Sequence, residues 1–148
     1  MKNDKIALRF SIAINRNGLL EEKPFGEADK FIIYDLNGED LELVGEERND
    51  IKWDLGDDFN LEEHGAHIID FLIKKGVNIL VSLHFGDHVK RANEYFIPVI
   101  VSHKNPDDVV KSIKEHLYWI IDEWKKSPSD FSLFTIKKGV LKSHLKNE

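Results

Sequence analysis

The sequence predicts a three-layer α/β/α domain built around one mixed, five-stranded sheet. Three observations predict this class: a strictly alternating strand near the start, a hairpin signal after it, and then helical and strand-like segments in alternation. The hairpin requires antiparallel pairing, whereas the later strand–helix repeats require parallel pairing through right-handed crossovers. A chain of 148 residues is long enough to bury one sizeable core of this kind.

The first three strands are predicted by side-chain patterning. In residues 6–14 (IALRFSIAI), large apolar side chains occupy every second position, which is typical of a strand. The segment 15–29 contains two glycines and a proline, so it is interpreted as a long loop. Residues 31–36 (FIIYDL) and 41–44 (LELV) flank Asn37-Gly38, a dipeptide that favours a tight hairpin.

The first helix is predicted over residues 61–75. An acidic, aperiodic loop at 48–60 precedes it, and Trp53 in that loop is interpreted as a packing residue. Asn60 is a suitable N-cap, with Glu63 three residues later as its capping-box partner. The helical residues predicted to be buried are Ala66, Ile69, Leu72 and Ile73.

The second half of the chain is predicted to alternate strands and helices. VNILVSL at 77–83 is nearly all apolar, as expected of a central strand that is covered on both faces. A short helix over about 87–95 leads into the strand 96–102 (FIPVIVS). Because Pro98 cannot donate a backbone hydrogen bond, this strand is placed at the sheet edge or is paired only beyond Pro98. Apolar side chains then recur at helical spacing over 105–125.

The end of the chain is assigned separately. Residues 1–126 are predicted to form the domain, and residues 127–148 a C-terminal extension. That extension, which includes DFSLFTIKKGVLKSHLKNE, is either a hairpin that turns at Lys138-Gly139 or a segment that docks on a partner.

Composition and motifs exclude several functions. The formal net charge of −6 argues against a general nucleic-acid binder, which needs clustered lysines and arginines. Without cysteine the chain has no disulfide, thiolate nucleophile or cysteine-ligated cluster, and the expected location is a reducing cytoplasm. No apolar run is long enough to span a membrane. Phosphate-loop and nucleophile-elbow motifs are absent, and Asp35 and Asp70 are the only candidate carboxylates on regular elements, so catalysis is not expected.

A ligand crevice is predicted beyond the carboxyl ends of the parallel strands. Its walls are the loop after Ile14 and the segments 83–87 and 103–105. Gly86-Asp87-His88 opens a helix, so its N–H groups and dipole favour an anion there, with Arg16 as a second cation. The alternative is that Gly86 provides only a tight turn and Asp87 only a helix cap.

Histidines mark the same region. His84 follows a strand, His88 lies in the next turn and His103 ends the neighbouring strand, while His64 and His67 share one helix face. Imidazole binds zinc, copper, iron and nickel. His84, His88, His103 and His64 are therefore candidate metal ligands, and the alternative is that they are ordinary solvated side chains near loops.

Four segments carry a resemblance to a known family. They are IALRFSIAINRNG, KPFGEADKFIIYDLNGE, EEHGAHIIDFLIKKGVNILV and HFGDHVKRANEYFIPVIV. Together they resemble the dinitrogenase iron–molybdenum cofactor biosynthesis family, the NifX/NafY-like proteins, over about residues 6–103. The resemblance implies a ribonuclease H-like fold. It also implies a small carrier or accessory protein that holds metal–sulfur clusters without thiolate ligands.

The chain departs from the family pattern in two loops. The histidine of the family's HFG motif falls on Pro24 here, although Phe25, Gly26, Ala28 and Phe31 keep the pattern. The family's glycine-rich turn is Leu83-His84-Phe85-Gly86 here, and only Gly86 survives. One histidine is thus lost from one loop, and another appears in a loop expected to face the same crevice. The crevice and the retained motif residues together give the candidate cofactor-binding residues, which are Asn15, Arg16, Phe25, Gly26, His84, Phe85 and Gly86.

The resulting hypothesis is a non-catalytic carrier. Its cargo would be an iron- or molybdenum-containing sulfur cluster, bound non-covalently, or another small anionic metal species. Its partners are expected to be that ligand and a second copy in a homodimer, with no nucleic acid and no membrane. The alternative is a homo-oligomeric interaction module without metal, built on an exposed FSLFTI tail with Trp119 and Trp124.

Overall fold

The protein forms one seven-stranded mixed sheet in the computed structural model, which describes residues 6–145. The strands are β1 (Arg9–Ile14), β2 (Lys30–Asn37), β3 (Asp40–Arg48), β4 (Ile79–Ser82), β5 (Ile97–Val101), β6 (Leu133–Ile136) and β7 (Val140–Ser143). Their order is β3-β2-β1-β4-β5-β6-β7. Pairing is parallel from β1 through β4 and β5 to β6, and antiparallel at both ends. The mixed α/β class is confirmed, and the prediction of five strands is wrong.

The two additional strands come from the C-terminal extension. β6 pairs with β5 in parallel, and β7 returns along β6 as a hairpin around Lys138-Gly139, as one of the two alternatives predicted. The FSLFTI segment is not an exposed tail, because Phe131, Phe134 and Ile136 are buried in the core. Within β6, buried Phe134 and Ile136 alternate with half-buried Leu133 and Thr135, as in a strand with one face more fully covered, so burial drives this segment into the sheet.

The helices are α1 (Asp50–Leu55), α2 (Leu61–Lys74), α3 (Val89–Ala92), α4 (Pro106–Glu115) and α5 (Leu117–Lys126). The prediction that residues 48–60 form a loop is wrong, because the segment contains α1. Asn49 caps this helix by accepting a hydrogen bond from the Lys52 N–H. The single helix predicted over 105–125 is broken at His116, whose φ of −126° lies outside the helical range. The helix predicted at 87–95 is a 3-10 turn followed by the single turn of α3.

Two apolar cores cover the two faces of the sheet. Helices α4 and α5 cover one face, whose buried residues include Phe10, Ile12, Val81, Val99, Ile113, Ile120 and Phe134. Helices α2 and α3 cover the other, whose buried residues include Ala13, Phe31, Ile33, Ile68, Leu72, Leu80, Phe85 and Phe96. Alternation along β1 sends Phe10 and Ile12 to one core and Ala13 to the other, which produces the three predicted layers.

The buried face of α2 differs from the prediction. Gly65, Ile68 and Leu72 are buried, whereas Ala66 and Ile73 are exposed. The buried positions follow helical spacing from Gly65, where the missing side chain permits close packing on the sheet. The prediction is therefore right for Leu72 and wrong for Ala66 and Ile73, because it began the buried stripe at Ala66 and not at Gly65.

Strand β5 lies inside the sheet, between β4 and β6. The prediction of an edge position for this strand is therefore wrong. On the β6 side, pairing begins at Val99, directly after Pro98, so the missing N–H interrupts no pairing there. None of the helices between residues 6 and 145 has the length and apolar character needed to cross a bilayer.

Candidate functional site

Two connections that each contain a Phe-Gly dipeptide meet where the parallel strands β1 and β4 end. One is Pro24-Phe25-Gly26 in the connection after β1, and the other is His84-Phe85-Gly86 directly after β4. The Phe25 N–H donates to the carbonyl oxygen of His84 at 2.9 Å. The rings of Phe25 and Phe85 stack with centroids 5.6 Å apart. We call this arrangement the Phe-Gly pair, and it joins two distant parts of the chain by one hydrogen bond and one aromatic contact.

Gly86 sets how closely the two loops approach. Its φ is +72°, a conformation that suits glycine. A Cβ atom built on Gly86 would lie 3.3 Å from Cγ of Pro24 and 3.9 Å from Nε2 of His84. The Pro24 ring and the His84 imidazole therefore both border the position that a side chain on Gly86 would occupy.

A cleft of about 580 Å³ opens beside the Phe-Gly pair. Its lining consists of Pro24, Glu27, Asn60, Leu61, Glu62, His84, Gly86 and Asp87. This lining carries three carboxylates and one imidazole, so its formal charge is negative when the imidazole is neutral. The sequence missed the α2 wall, although the Asn60 cap places Leu61 and Glu62 in the first turn of that helix.

An apolar pocket lies behind the cleft, under the same two loops. Its lining includes Phe25, Gly26, Leu61, Gly65 and Phe85, and its volume of about 30 Å³ is that of a single water molecule. Leu61 belongs to both linings and packs so closely on Gly26 that a Cβ there would lie 2.5 Å from its Cδ1. The cleft is thus backed by close-packed apolar side chains.

A family model described as "Dinitrogenase iron-molybdenum cofactor" matches residues 7–116, a range that contains the Phe-Gly pair and the whole cleft lining. The chain belongs to this family. The resemblance to NifX/NafY-like proteins is thereby confirmed. A search of curated proteins gives no match. Helix α5 and strands β6 and β7 lie after the matched region.

Five of the seven residues predicted to bind the cofactor are brought together. Phe25, Gly26, His84, Phe85 and Gly86 form the Phe-Gly pair and line the cleft or the pocket behind it. Asn15 instead organises the loop after β1, accepting hydrogen bonds from the N–H groups of Asn17 at 2.8 Å and Leu19 at 3.1 Å. Arg16 is exposed and is not part of the cleft lining.

The four histidines proposed as metal ligands lie in different settings. His84 lines the cleft, and His103 is exposed after β5. His64 lies in the first turn of α2, with Nδ1 2.9 Å from the Asn60 carbonyl oxygen and its ring stacked on Phe59. His88 belongs to the 3-10 turn before α3, and its side chain lies outside the described atoms. In the part of the chain that is described, no three His, Asp or Glu side chains form a metal-ion site. The four-histidine site stays a prediction.

The two carboxylates considered for hydrolysis are held in separate ion pairs. Arg9 donates to both oxygens of Asp35, at 2.7 and 2.9 Å. The pKa of Asp35 is lowered, chiefly by this hydrogen bonding and further by the charge of Arg9, against the opposing effect of burial. Asp70 pairs with Lys74 at 3.0 Å on the exposed side of α2. Each carboxylate thus has a structural partner of its own.

Proposed function

We propose that this protein binds and carries a metal–sulfur cofactor, or another anionic metal species, and does not convert it chemically. Family membership supports the cargo class, and an iron- or molybdenum-containing sulfur cluster is the first candidate. The proposed site is the cleft beside the Phe-Gly pair, where the cargo is held without covalent thiolate ligands. The proposed location is the cytoplasm, because reducing conditions preserve sulfido-metal species.

One observation carries this proposal: His84 and Pro24 line the same cleft and both border the same point at Gly86. The family histidine falls on Pro24 in this chain, so that loop offers no imidazole. The Pro24 ring and Nε2 of His84 both lie within 4 Å of the position that a Cβ on Gly86 would occupy. A ligand lost from one loop is thus available from the neighbouring loop, next to the same point of the cleft.

The charge of the cleft favours a metal–imidazole bond over attraction of a free anion. Glu27, Glu62 and Asp87 repel a bare anion, whereas the neutral imidazole of His84 is a good ligand for iron and other transition metals. A sulfido cluster brings most of its own ligands, so a single protein ligand suffices to attach it. A free Zn²⁺ ion needs three or four protein ligands. We therefore expect assembled sulfido-metal species to bind and free divalent ions not to bind.

The sheet order supports the ribonuclease H-like assignment, which we also propose. Strands β3-β2-β1-β4-β5 form the five-stranded part of the sheet, with β2 antiparallel to both of its neighbours. The cleft then lies where the parallel strands β1 and β4 end, the usual ligand position in open α/β sheets. Strands β6 and β7 extend this sheet on the β5 side.

Elemental analysis of protein purified without oxygen from its native cells tests the function. Wild type, His84→Ala and His67→Ala are compared, because His67 is also an exposed histidine but is not part of the cleft lining. We expect stoichiometric iron or molybdenum in wild type and His67→Ala, and depletion in His84→Ala. Adding Pro24→His to His84→Ala should restore the metal, since it returns an imidazole to the same place. Equal metal content in all variants, or none in wild type, contradicts the proposal.

A metal-free interaction module remains the second candidate because of one feature of α5. Tyr118 and Trp119 are neighbours on this helix, with 73% and 45% of their surfaces exposed. Large exposed aromatic side chains are enriched in protein interfaces. A stable oligomer of metal-free wild type in sedimentation, abolished by Trp119→Lys, would favour this candidate.

A further inference from the structure

Asn49 connects α1 to the cleft loop through its buried side chain. The amide is fully buried, and its two hydrogens are donated to the carbonyl oxygens of Gly26 at 3.0 Å and Ala28 at 2.9 Å. The Asn49 N–H donates to the carbonyl oxygen of Asp29 at 3.1 Å. Its Oδ1 meanwhile caps α1. Asn49 thus connects β3 to α1 and donates hydrogen bonds to three carbonyl groups that are far from it in the sequence.

Lys52 and Trp53 complete this set of contacts. Nζ of Lys52 donates to the carbonyl oxygen of Glu27 at 2.7 Å and to Oδ1 of Asp29 at 2.9 Å. Nε1 of Trp53 donates to the carbonyl oxygen of Asp29 at 3.0 Å. All four consecutive carbonyl groups from Gly26 to Asp29 therefore accept hydrogen bonds from α1 and its cap.

Such complete pairing restrains the loop strongly. The two Asn49 side-chain bonds are buried, and a buried carbonyl that loses its donor costs about 1–3 kcal/mol, so moving the loop away from α1 is costly. The restrained segment, residues 26–29, begins two residues after Pro24 and contains Glu27, and both Pro24 and Glu27 line the cleft. Gly86 approaches Pro24 from the other side, so the loop is held between α1 and the His84 loop.

We propose that Asn49, Lys52 and Trp53 are positioning residues for the cargo cleft. They act through the backbone of residues 26–29 and do not touch the cargo. They fix the Pro24 and Glu27 wall at a constant separation from His84, which removes the ordering cost that a mobile loop would add to binding. This inference rests on the proposed function.

The test separates loop positioning from helix capping. Asn49→Asp keeps a good N-cap oxygen but cannot donate to Gly26 and Ala28, because a carboxylate only accepts. Asn105→Asp is the matched control, since Asn105 also caps a helix, α4, and accepts a hydrogen bond from Asp107. Lys52→Met is a second test variant, and it introduces no charge. Its control is Lys114→Met, which removes the Lys114–Asp40 ion pair; this pair has the same 2.9 Å length as Lys52–Asp29 and lies outside the cleft.

Two readouts are taken on each folded variant. Amide hydrogen exchange is measured at Glu27, Ala28 and Asp29, whose N–H groups donate to Pro24, Phe25 and Ile14. Binding of a synthetic iron–sulfur cluster that carries exchangeable thiolate ligands is measured by anaerobic dialysis. Asn49→Asp and Lys52→Met should speed exchange at these amides by about tenfold or more, since loss of about 1.4 kcal/mol in local stability corresponds to that factor. They should weaken binding of this cluster several-fold, while both controls leave both readouts unchanged.

The outcomes distinguish this inference from the proposed function. Unchanged exchange at residues 27–29 in Lys52→Met overturns the positioning role, whatever the binding result. Faster exchange with undiminished binding of the iron–sulfur cluster also overturns it, because the restraint then has no effect on the cleft. If wild type takes up no cluster, the proposed function fails, and the exchange data still decide whether α1 holds the loop.

Discussion

Gly86 controls the geometry of the cleft at the scale of single residues. Its backbone conformation disfavours any side chain, and the space beside it is filled by the Pro24 ring and the His84 imidazole. The first restriction is conformational and the second is steric. They can be separated because Gly38 in the β2–β3 turn has a similar φ of +67° but has nothing within 4 Å of a built Cβ.

Substituting these two glycines with alanine gives a matched comparison. Gly38→Ala should lower the free energy of unfolding by about 1–2 kcal/mol, the cost of a left-handed conformation for a residue with a Cβ. Gly86→Ala carries the same cost plus the displacement of Pro24, so its loss should be larger by about 1 kcal/mol. Urea unfolding measures both. Equal losses would mean that the Pro24 contact yields freely and does not define the cleft.

At the scale of elements, the C-terminal hairpin is pinned to α5 by a buried carboxylate. Glu123 accepts a hydrogen bond from the Ser132 N–H at 2.8 Å and pairs with Lys142 at 3.0 Å. Burial raises the pKa of Glu123, but the hydrogen bonds from Ser132, Lys142 and Ser127 and the charge of Lys142 together outweigh it, so the net pKa is lowered. The carboxylate thus favours its charged form in the folded protein.

This lowered pKa predicts a pH dependence of stability. Between the ordinary value and the folded value, the unfolded chain binds more protons at Glu123 than the native protein does, so stability rises with pH. The contribution is fully present above the unfolded pKa of about 4.5 and is lost as pH falls through the folded value. Wild type should therefore lose more unfolding free energy than Glu123→Gln between pH 6 and pH 3, at approximately constant ionic strength.

Chemical denaturation of both proteins across this pH range measures the difference. Comparing the two removes the contribution of Asp35 and Asp40, whose pKa values are also lowered by Arg9 and Lys114. Parallel curves for wild type and Glu123→Gln would contradict the role assigned to the Glu123–Lys142 pair.

The whole molecule depends on the segment that follows the family match. Strand β6 covers the open side of β5, and Phe134 and Ile136 are buried in the same core as Val99 and Val101. Trp124 of α5 stacks on Phe131 with ring centroids 5.2 Å apart. The extension is therefore a structural part of the sheet.

Ending the chain at Ser127 should prevent stable folding. The truncation exposes the β5 edge and leaves the apolar surface that Phe131, Phe134 and Ile136 cover in contact with water, a loss of several kcal/mol. Circular dichroism and urea unfolding measure the outcome. A chain that ends at Lys137 keeps β6 and should unfold cooperatively at a lower urea concentration. A Ser127-terminated protein with the wild-type midpoint would show that the sheet is complete at β5.

The sequence predicts the parts of this fold whose signals are local. The alternation in β1, the Asn37-Gly38 hairpin and the Asn60 cap of α2 are each encoded within a few residues, and the structure contains all three. The position of the crevice follows from the parallel strands, and His84 lies there. Whether it binds metal stays a prediction.

What the sequence does not reveal depends on partners distant in the chain. The burial of Asn49 under Gly26 and Ala28, the interior position of β5 and the entry of β6 into the sheet are all set by tertiary contacts. Helix α1 is short and buries none of its own residues, so it has no apolar periodicity to detect. Only its cap residue signals it.

The Phe-Gly pair also determines when the proposed binding site exists during synthesis. One half, Pro24-Phe25-Gly26, precedes α2 in the sequence, and the other, His84-Phe85-Gly86, follows it. Neither half forms the cleft by itself. A nascent chain that has not yet emerged beyond β4 therefore has no cleft, however long its first half has been free. Under the proposed function, loading therefore requires a chain in which both loops have emerged and folded together, and a chain that misfolds at either loop has no site for cargo.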